Sequence, residues 1–369
     1  MNARRLWIAV VVGVTVALTA YPFAARRDAS SATELPRGIA SAIPASPFQT
    51  SEDCFARWPT YESWLVHLKS TLPWWSPRRA LLKSRFPKIQ FEHVRDSMAC
   101  RAISYRNDGF TITGWMLTPK TPAGNRLPVI VYNRGGNGRF GAITLATVLH
   151  DLAPLADQGF IVLASQYRGA TESDPRLYGQ DQFGGDDVRD VTKLVELAGQ
   201  LPDADARNVF MVGASRGAMM TFLALRQGAA VRAAAVIAGV SDLAEDLGKN
   251  PRMDAVYRQR IPGYPTGKDQ ALADRSVVKW ARDLPRSVPV LVLHGDNDQR
   301  VDVRQAHLLR SRLQAIGQPH RLIIYQGGDH RLAKHRLEAA REIGAWFRSS
   351  MIRGARRPEQ LPAAGVTEP

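Results

Sequence analysis

The sequence predicts an α/β protein built on a mostly parallel sheet of eight strands with helices on both faces. Three observations carry this expectation. Short runs that are apolar throughout, such as residues 127–132 (LPVIVY), 159–165 (GFIVLAS) and 288–294 (VPVLVLH), suit strands covered on both faces. These runs alternate with longer segments of helical period, which implies right-handed crossovers between parallel strands. Asn107-Asp108-Gly109 separates two β-rich runs, and glycine's tolerance of positive φ makes this a hairpin signal that adds an antiparallel edge.

The chain opens on Arg4 and Arg5, followed by an apolar stretch from residue 6 to about residue 20. That layout predicts export, either by a signal peptide or by an uncleaved signal anchor, within residues 1–25. The apolar stretch is short for a transmembrane helix, which needs roughly 20 residues. Extended through residue 25 it almost reaches that length, so residues 6–25 are a candidate membrane tether. The expected location is periplasmic or secreted, with anchoring to the inner membrane as the uncleaved alternative. Residues 26–95 read as a linker rich in Ala, Ser and Pro, up to about residue 50, followed by a small helical N-terminal cap. The cap holds Trp58, Trp64, Trp74 and Trp75 and is too short to stand as a large domain. A catalytic domain is expected over 96–350 and a flexible tail over 351–369.

Within that domain, strands are expected at 100–105, 110–117, 127–132, 159–165, 208–212, 231–237, 288–293 and 320–325. Helices are expected at 143–157, 186–201, 216–227, 303–316 and 333–348. Residues 241–286 break the alternation and read as a helical insertion, a lid or a wall of the substrate pocket.

With 369 residues, 45% of them hydrophobic, the chain can bury one large core. The net charge of +15 comes from basic residues dispersed along the chain. None of their runs is interleaved with aromatics for base stacking, so no nucleic-acid partner is predicted. The densest basic cluster, from Arg348 to Arg357, reads as a solvated helix end or tail. Cys54 and Cys100 form no CxxC; in an exported chain they allow one disulfide, and two buried thiols are the alternative. Oligomeric state is not indicated.

The chemistry concentrates in Gly213-Ala214-Ser215-Arg216-Gly217, a GxSxG sequence between a strand and a helix. A nucleophile needs such a sharp turn to protrude, and small residues two positions either side keep the strand and helix from clashing. The helix N-terminus supplies N–H groups and a positive dipole end for a developing oxyanion. Serine needs a base oriented by an acid, and in the α/β-hydrolase fold these follow in the order acid, then histidine. The acid candidates after Ser215 are Asp296 and Asp298, with Asp302 further off. The base candidates are His294, His307, His320, His330 and His335, and His330 is preferred because it sits in a loop directly after a strand. The oxyanion would be bound by the backbone N–H of Arg216 and that of Gly135, with Gly136 as alternative, in the glycine-rich loop after 127–132. No metal or organic cofactor is implied.

Five segments together resemble the catalytic domain of the prolyl oligopeptidase family of serine peptidases and hydrolases: VYNRGG at 131–136, QYRGATES at 166–173, GASRGAMMTFLAL at 213–225, HGDNDQRV at 294–301 and GGDH at 327–330. The resemblance covers residues 97–348, roughly two thirds of the chain. It implies a catalytic triad of Ser215, Asp298 and His330. Members often carry His or Tyr where this chain has Arg134. Many also carry an N-terminal β-propeller, which residues 26–95 are too few to form. The implied function is cleavage of a peptide or amide bond in a small substrate through an acyl-enzyme. A carboxylesterase using the same triad on small esters is the alternative. An inert, membrane-tethered binding protein on the same scaffold is the remote one.

Overall fold

The structure is a computed structural model that describes residues 46–120, 126–170 and 174–352. Its strands are β1 (Thr50–Asp53), β2 (Met98–Asn107), β3 (Phe110–Pro119), β4 (Leu127–Asn133), β5 (Ile161–Ser165), β6 (Ala204–Ala214), β7 (Ala234–Ile237), β8 (Val290–Gly295) and β9 (His320–Tyr325). They form one nine-stranded sheet in the order β1-β2-β3-β5-β4-β6-β7-β8-β9. β1, β2 and β3 are antiparallel, and from β5 through β4 to β9 every pairing is parallel.

The sheet therefore has nine strands where eight are expected. The extra one, β1, falls at the end of the predicted linker and the start of the predicted cap. Its sequence TSED is polar and exposed at all four positions, so it has no apolar alternation to announce it. Backbone pairing from Thr50↔Ser104 to Asp53↔Arg101 makes it a strand. Beside it, Cys54 is disulfide-bonded to Cys100 of β2, and Phe48 just before it is buried in the core.

The parallel strands turn alternate residues to opposite faces. Val129 and Val131 of β4 enter one apolar cluster with Leu163 and Met211, while Ile130 enters a second with Val162 and Phe210. Both faces are buried, as the all-apolar runs require.

The helix expected over 143–157 is a composite. Helical turns at Leu145–Thr147 and Ala153–Ala156 flank a π-helical segment at Val148–Leu152. Pro154 lacks the N–H that would continue a regular ladder, and the wider π turn accommodates it. Helices Val188–Ala198, Arg216–Arg226, Arg304–Ala315 and Arg336–Ser349 lie where expected, with shorter or shifted ends. Between β7 and β8 the insertion is helical, with Leu243–Lys249, Met253–Arg260, Lys268–Arg275 and Val277–Trp280.

In the cap, helices Tyr61–Ser70 and Lys88–Ser97 pack through Trp64, which is 1% exposed and stacks on Phe91 at 5.5 Å. Both join the apolar cluster that includes Leu117 and Leu149, so the cap shares the core of the sheet. Trp74 and Trp75 stay at the surface, 85% and 61% exposed. At the other end, Ile352 exchanges two hydrogen bonds with Asn208, at 2.8 and 3.1 Å, so the first residues of the expected tail are tied down. Residues 353–369 and the leader 1–25 lie outside the described residues. Among the described residues no helix is long and apolar enough to cross a membrane.

Candidate active site

Ser215 caps the helix that follows β6 and has φ 56° and ψ −121°, a conformation L residues seldom adopt. The surrounding glycines make room for this turn. A Cβ on Gly217 would collide with the backbone oxygen of Asn133, and one on Gly213 with that of Gly217. The backbone N–H of Ser215 donates to Ile237 O at 2.8 Å, which pins the turn to β7.

His330, in the loop after β9, places Nε2 3.1 Å from Ser215 Oγ and Nδ1 2.8 Å from Asp298 Oδ2. A carboxylate can only accept, so the proton sits on Nδ1 and Nε2 is free to accept from the serine hydroxyl. Asp298 is buried and well supplied with donors. Its Oδ1 accepts from the N–H groups of Arg300 at 2.8 Å and Val301 at 3.0 Å, and His294 Nε2 lies 3.2 Å from Oδ2. Burial alone would raise its pKa, yet the bonds from His294 and His330 hold it well below the usual carboxylate range.

The rival acids are elsewhere engaged. Asp296 accepts from the N–H of Gly327 at 2.6 Å, and Asp302 pairs with Lys249 and accepts from the N–H of Arg304. Among the other histidines, His294 is buried behind Asp298, His307 is exposed on its helix, and His320 and His335 contact Gln318 O and Gln326 O.

Gly135 abuts the nucleophile: a Cβ there would lie 3.0 Å from Ser215 Cβ and 3.6 Å from its Oγ. Gly136, with φ 75°, turns the loop away, and its carbonyl accepts from the Arg216 side chain at 3.0 Å. Arg216 is the first residue of its helix, so its N–H has no intrahelical acceptor.

The side chain of Arg134 does not point to the nucleophile. It is buried and donates to the carbonyls of Gly135, Gly138, Phe140 and Gln166, at 2.7 to 3.3 Å. Burial and the neighbouring Arg216 push its pKa down to about 10. Arg216 grips Asp181 with two bonds of 2.7 Å and also pairs with Asp187. Asp181 in turn accepts from the N–H of Gly138 at 2.5 Å. Burial works against its charge, but Arg216 and that N–H hold Asp181 low, at about 2. The ring of Tyr167 lies 5.1 Å from the Arg134 guanidinium and 5.4 Å from that of Arg216. Sequence reading alone did not single out Asp181, Asp187 or Tyr167. The only signal was three acids in the glycine-containing run 181–187 of a chain with arginines beside both reactive loops.

A cavity of about 2650 Å³ opens over Ser215 and His330. Its walls include Trp58, His67 and Arg85 of the cap, Phe140 of the glycine loop, and Met253 and Tyr257 of the insertion. Among the described residues no group of three or more His, Cys, Asp or Glu side chains is arranged to hold a metal ion.

A family model described as the prolyl oligopeptidase family matches residues 146–352. The chain is 25% identical over 269 residues to the uncharacterized peptidase YtmA of Bacillus subtilis (strain 168), covering 72% of this chain and 98% of that one. It is 28% identical over 263 residues to the human acylamino-acid-releasing enzyme, covering 66% of this chain but 34% of the relative. A puromycin-hydrolyzing peptidase of Mycobacterium tuberculosis superposes with a TM-score of 0.58 at 23% identity, over 68% of this chain and 39% of that chain. The chain thus spans nearly all of YtmA and about a third of the human enzyme.

Proposed function

This chain belongs to the prolyl oligopeptidase family and is a serine hydrolase; from that premise we propose that it cleaves a peptide or amide bond with Ser215, His330 and Asp298 as its triad. The observation that carries the proposal is the relay from Ser215 Oγ to His330 Nε2 at 3.1 Å and from Nδ1 to Asp298 at 2.8 Å. His330 takes the hydroxyl proton as Ser215 attacks the carbonyl carbon. The oxygen, now negative, is bound by the N–H groups of Arg216 and Gly135. His330 gives its proton to the leaving nitrogen as the C–N bond breaks, and water repeats the sequence on the acyl-enzyme. Asp298, held anionic, stabilises the imidazolium at each step. The cap over 51–95 and the insertion over 241–286, which both line the cavity, limit access to Ser215.

A fluorophosphonate probe tests the triad: wild type is expected to label and Ser215→Ala is not. Equal labelling of the two would overturn it. Comparison of aminoacyl and prolyl p-nitroanilides with short p-nitrophenyl esters tests the bond class, and turnover of esters alone would make the protein a carboxylesterase.

Export is the second part of the proposal. It rests on the basic and apolar leader and on the Cys54–Cys100 disulfide, which suits an oxidising compartment. Alkaline phosphatase fused to the C-terminus is expected to be active. An inactive phosphatase beside a fluorescent cytoplasmic reporter would overturn it.

A further inference from the structure

Six carboxylates lie in or beside the first helix of the insertion and the loop after β8, and five of them have partners. Asp296 accepts from the N–H of Gly327 at 2.6 Å. Glu245 accepts from Arg304 at 3.0 Å and Gln305 at 3.2 Å. Asp242 pairs with Lys279 at 2.9 Å and caps its own helix. Asp302 pairs with Lys249, and Asp298 serves His330 and His294. Asp246 is the sixth. It is 5% exposed, lines the cavity over Ser215, and its side chain has no hydrogen bond or ion pair among the described residues.

A buried carboxylate without a donor is costly, and native structures seldom keep one without a use. Burial together with the charges of Asp298, Glu245 and Asp302 pushes its pKa up to about 6, with Lys249 giving partial relief. The cavity wall includes Leu243, Met253 and Val256 of the insertion, Val240 just before it and Met219 of the helix behind Ser215, and Lys249, Asn250 and Arg252 also line it. Its apolar part covers an aliphatic stem and leaves one acid for a positive end. Positive charge on the same cavity comes from Arg78 and Arg85 of the cap and from Arg336 of the last helix. Asp246 is the one carboxylate that the insertion places on this wall, and no cation of the described residues claims it.

We propose that Asp246 is a specificity-determining residue that binds a protonated amine or guanidinium of the substrate, in a pocket between the insertion and Ser215. The proposal rests on the hydrolase reading above. Two sources of that cation share one chemistry, a basic side chain on the acyl residue or the free α-amino group of the substrate. An ion pair to a desolvated acid discriminates well against a neutral analogue, because the analogue leaves the acid unpaired.

The test compares three thiobenzyl esters that any acyl-transfer serine enzyme can open: N-blocked lysine, N-blocked leucine, and leucine with a free α-amino group. Wild type is expected to show kcat/KM at least about tenfold higher for one or both cationic esters than for N-blocked leucine. Asp246→Asn, which keeps the volume, is expected to lose that preference with its rate on N-blocked leucine undiminished. The arm that collapses identifies the source of the cation. A fluorophosphonate labelling rate equal to wild type, and a Tm at or above it, would show an intact site in the variant. Equal rates on all three esters in wild type, or a preference that survives Asp246→Asn, would overturn the pocket and leave the hydrolase standing. Wild type that neither labels nor turns over any ester would overturn the hydrolase reading, and the pocket with it.

Discussion

Arg216 and Asp181 are joined by two parallel hydrogen bonds of 2.7 Å, and this buried pair links the helix behind the nucleophile to the loop facing it. The same carboxylate takes the N–H of Gly138, three residues beyond Gly135. The two proposed oxyanion donors therefore hang from one anchor. Asp181→Ala would leave the guanidinium short of a counter-charge, and breaking a buried pair costs about 3–5 kcal/mol. The expected result is a lower urea midpoint. The milder Asp181→Asn is expected to slow fluorophosphonate labelling up to about a hundredfold through displacement of the loop. An unchanged labelling rate would show that the loop keeps its place without the anchor.

Asp298→Asn replaces an acceptor with a group that no longer secures the Nδ1 proton of His330. The expected loss in kcat is on the order of 10⁴-fold, with binding of a neutral competitive inhibitor unchanged. Acid stability carries a second signature. Because the folded-state pKa of Asp298 is depressed, its contribution is present above the ordinary carboxylate pKa of about 3.9 and fades as pH falls below it. Asp298→Asn is expected to show a weaker acid dependence of its urea midpoint than wild type.

Asp246 has the opposite sign. Its folded-state pKa of about 6 lies above the unfolded one, so its contribution to stability is fully present below about pH 4 and is lost as pH rises through 6. Asp246→Asn is thus expected to gain on the order of 1–3 kcal/mol relative to wild type at pH 8 and little at pH 4. Glu245, Lys249, Asp298 and Asp302 face the group and are unchanged in both proteins, so paired urea titrations isolate it.

The disulfide closes a loop between residues 54 and 100 that contains all the helices of the cap. Cys54→Ser paired with Cys100→Ser is expected to lose about 2–4 kcal/mol of stability. Protease sensitivity within 61–97 should rise first, because cap opening is then no longer limited by the crosslink. Equal urea midpoints with and without reductant would contradict this.

Much of the fold was legible because hydrophobic pattern and turn chemistry agree along the chain. Residues 320–325 form a strand with the expected bounds, since the apolar run 322–325 is followed by Gln326 and a glycine pair. Ser215 could be singled out by its GxSxG turn and His330 by its loop after a strand, whereas the resemblance decided for Asp298 over Asp296; the structure brings the three into hydrogen-bond contact. β1 was illegible: a polar edge strand held by backbone pairing leaves no side-chain period. The support beneath the glycine loop was illegible for another reason. Arg134, Asp181 and Arg216 meet only when three loops converge, and no spacing in the chain encodes that meeting. Arg134 itself stood out as unusual, but its targets are carbonyl groups, which every residue has.

The backbone of Ser215, at φ 56°, is a position where glycine would rest more easily. Holding a non-glycine residue there costs of order 1–3 kcal/mol. The inactive Ser215→Gly protein is then the sturdier molecule. A library sorted only for heat resistance would drift toward losing its nucleophile, so directed evolution of this scaffold has to score turnover in every round.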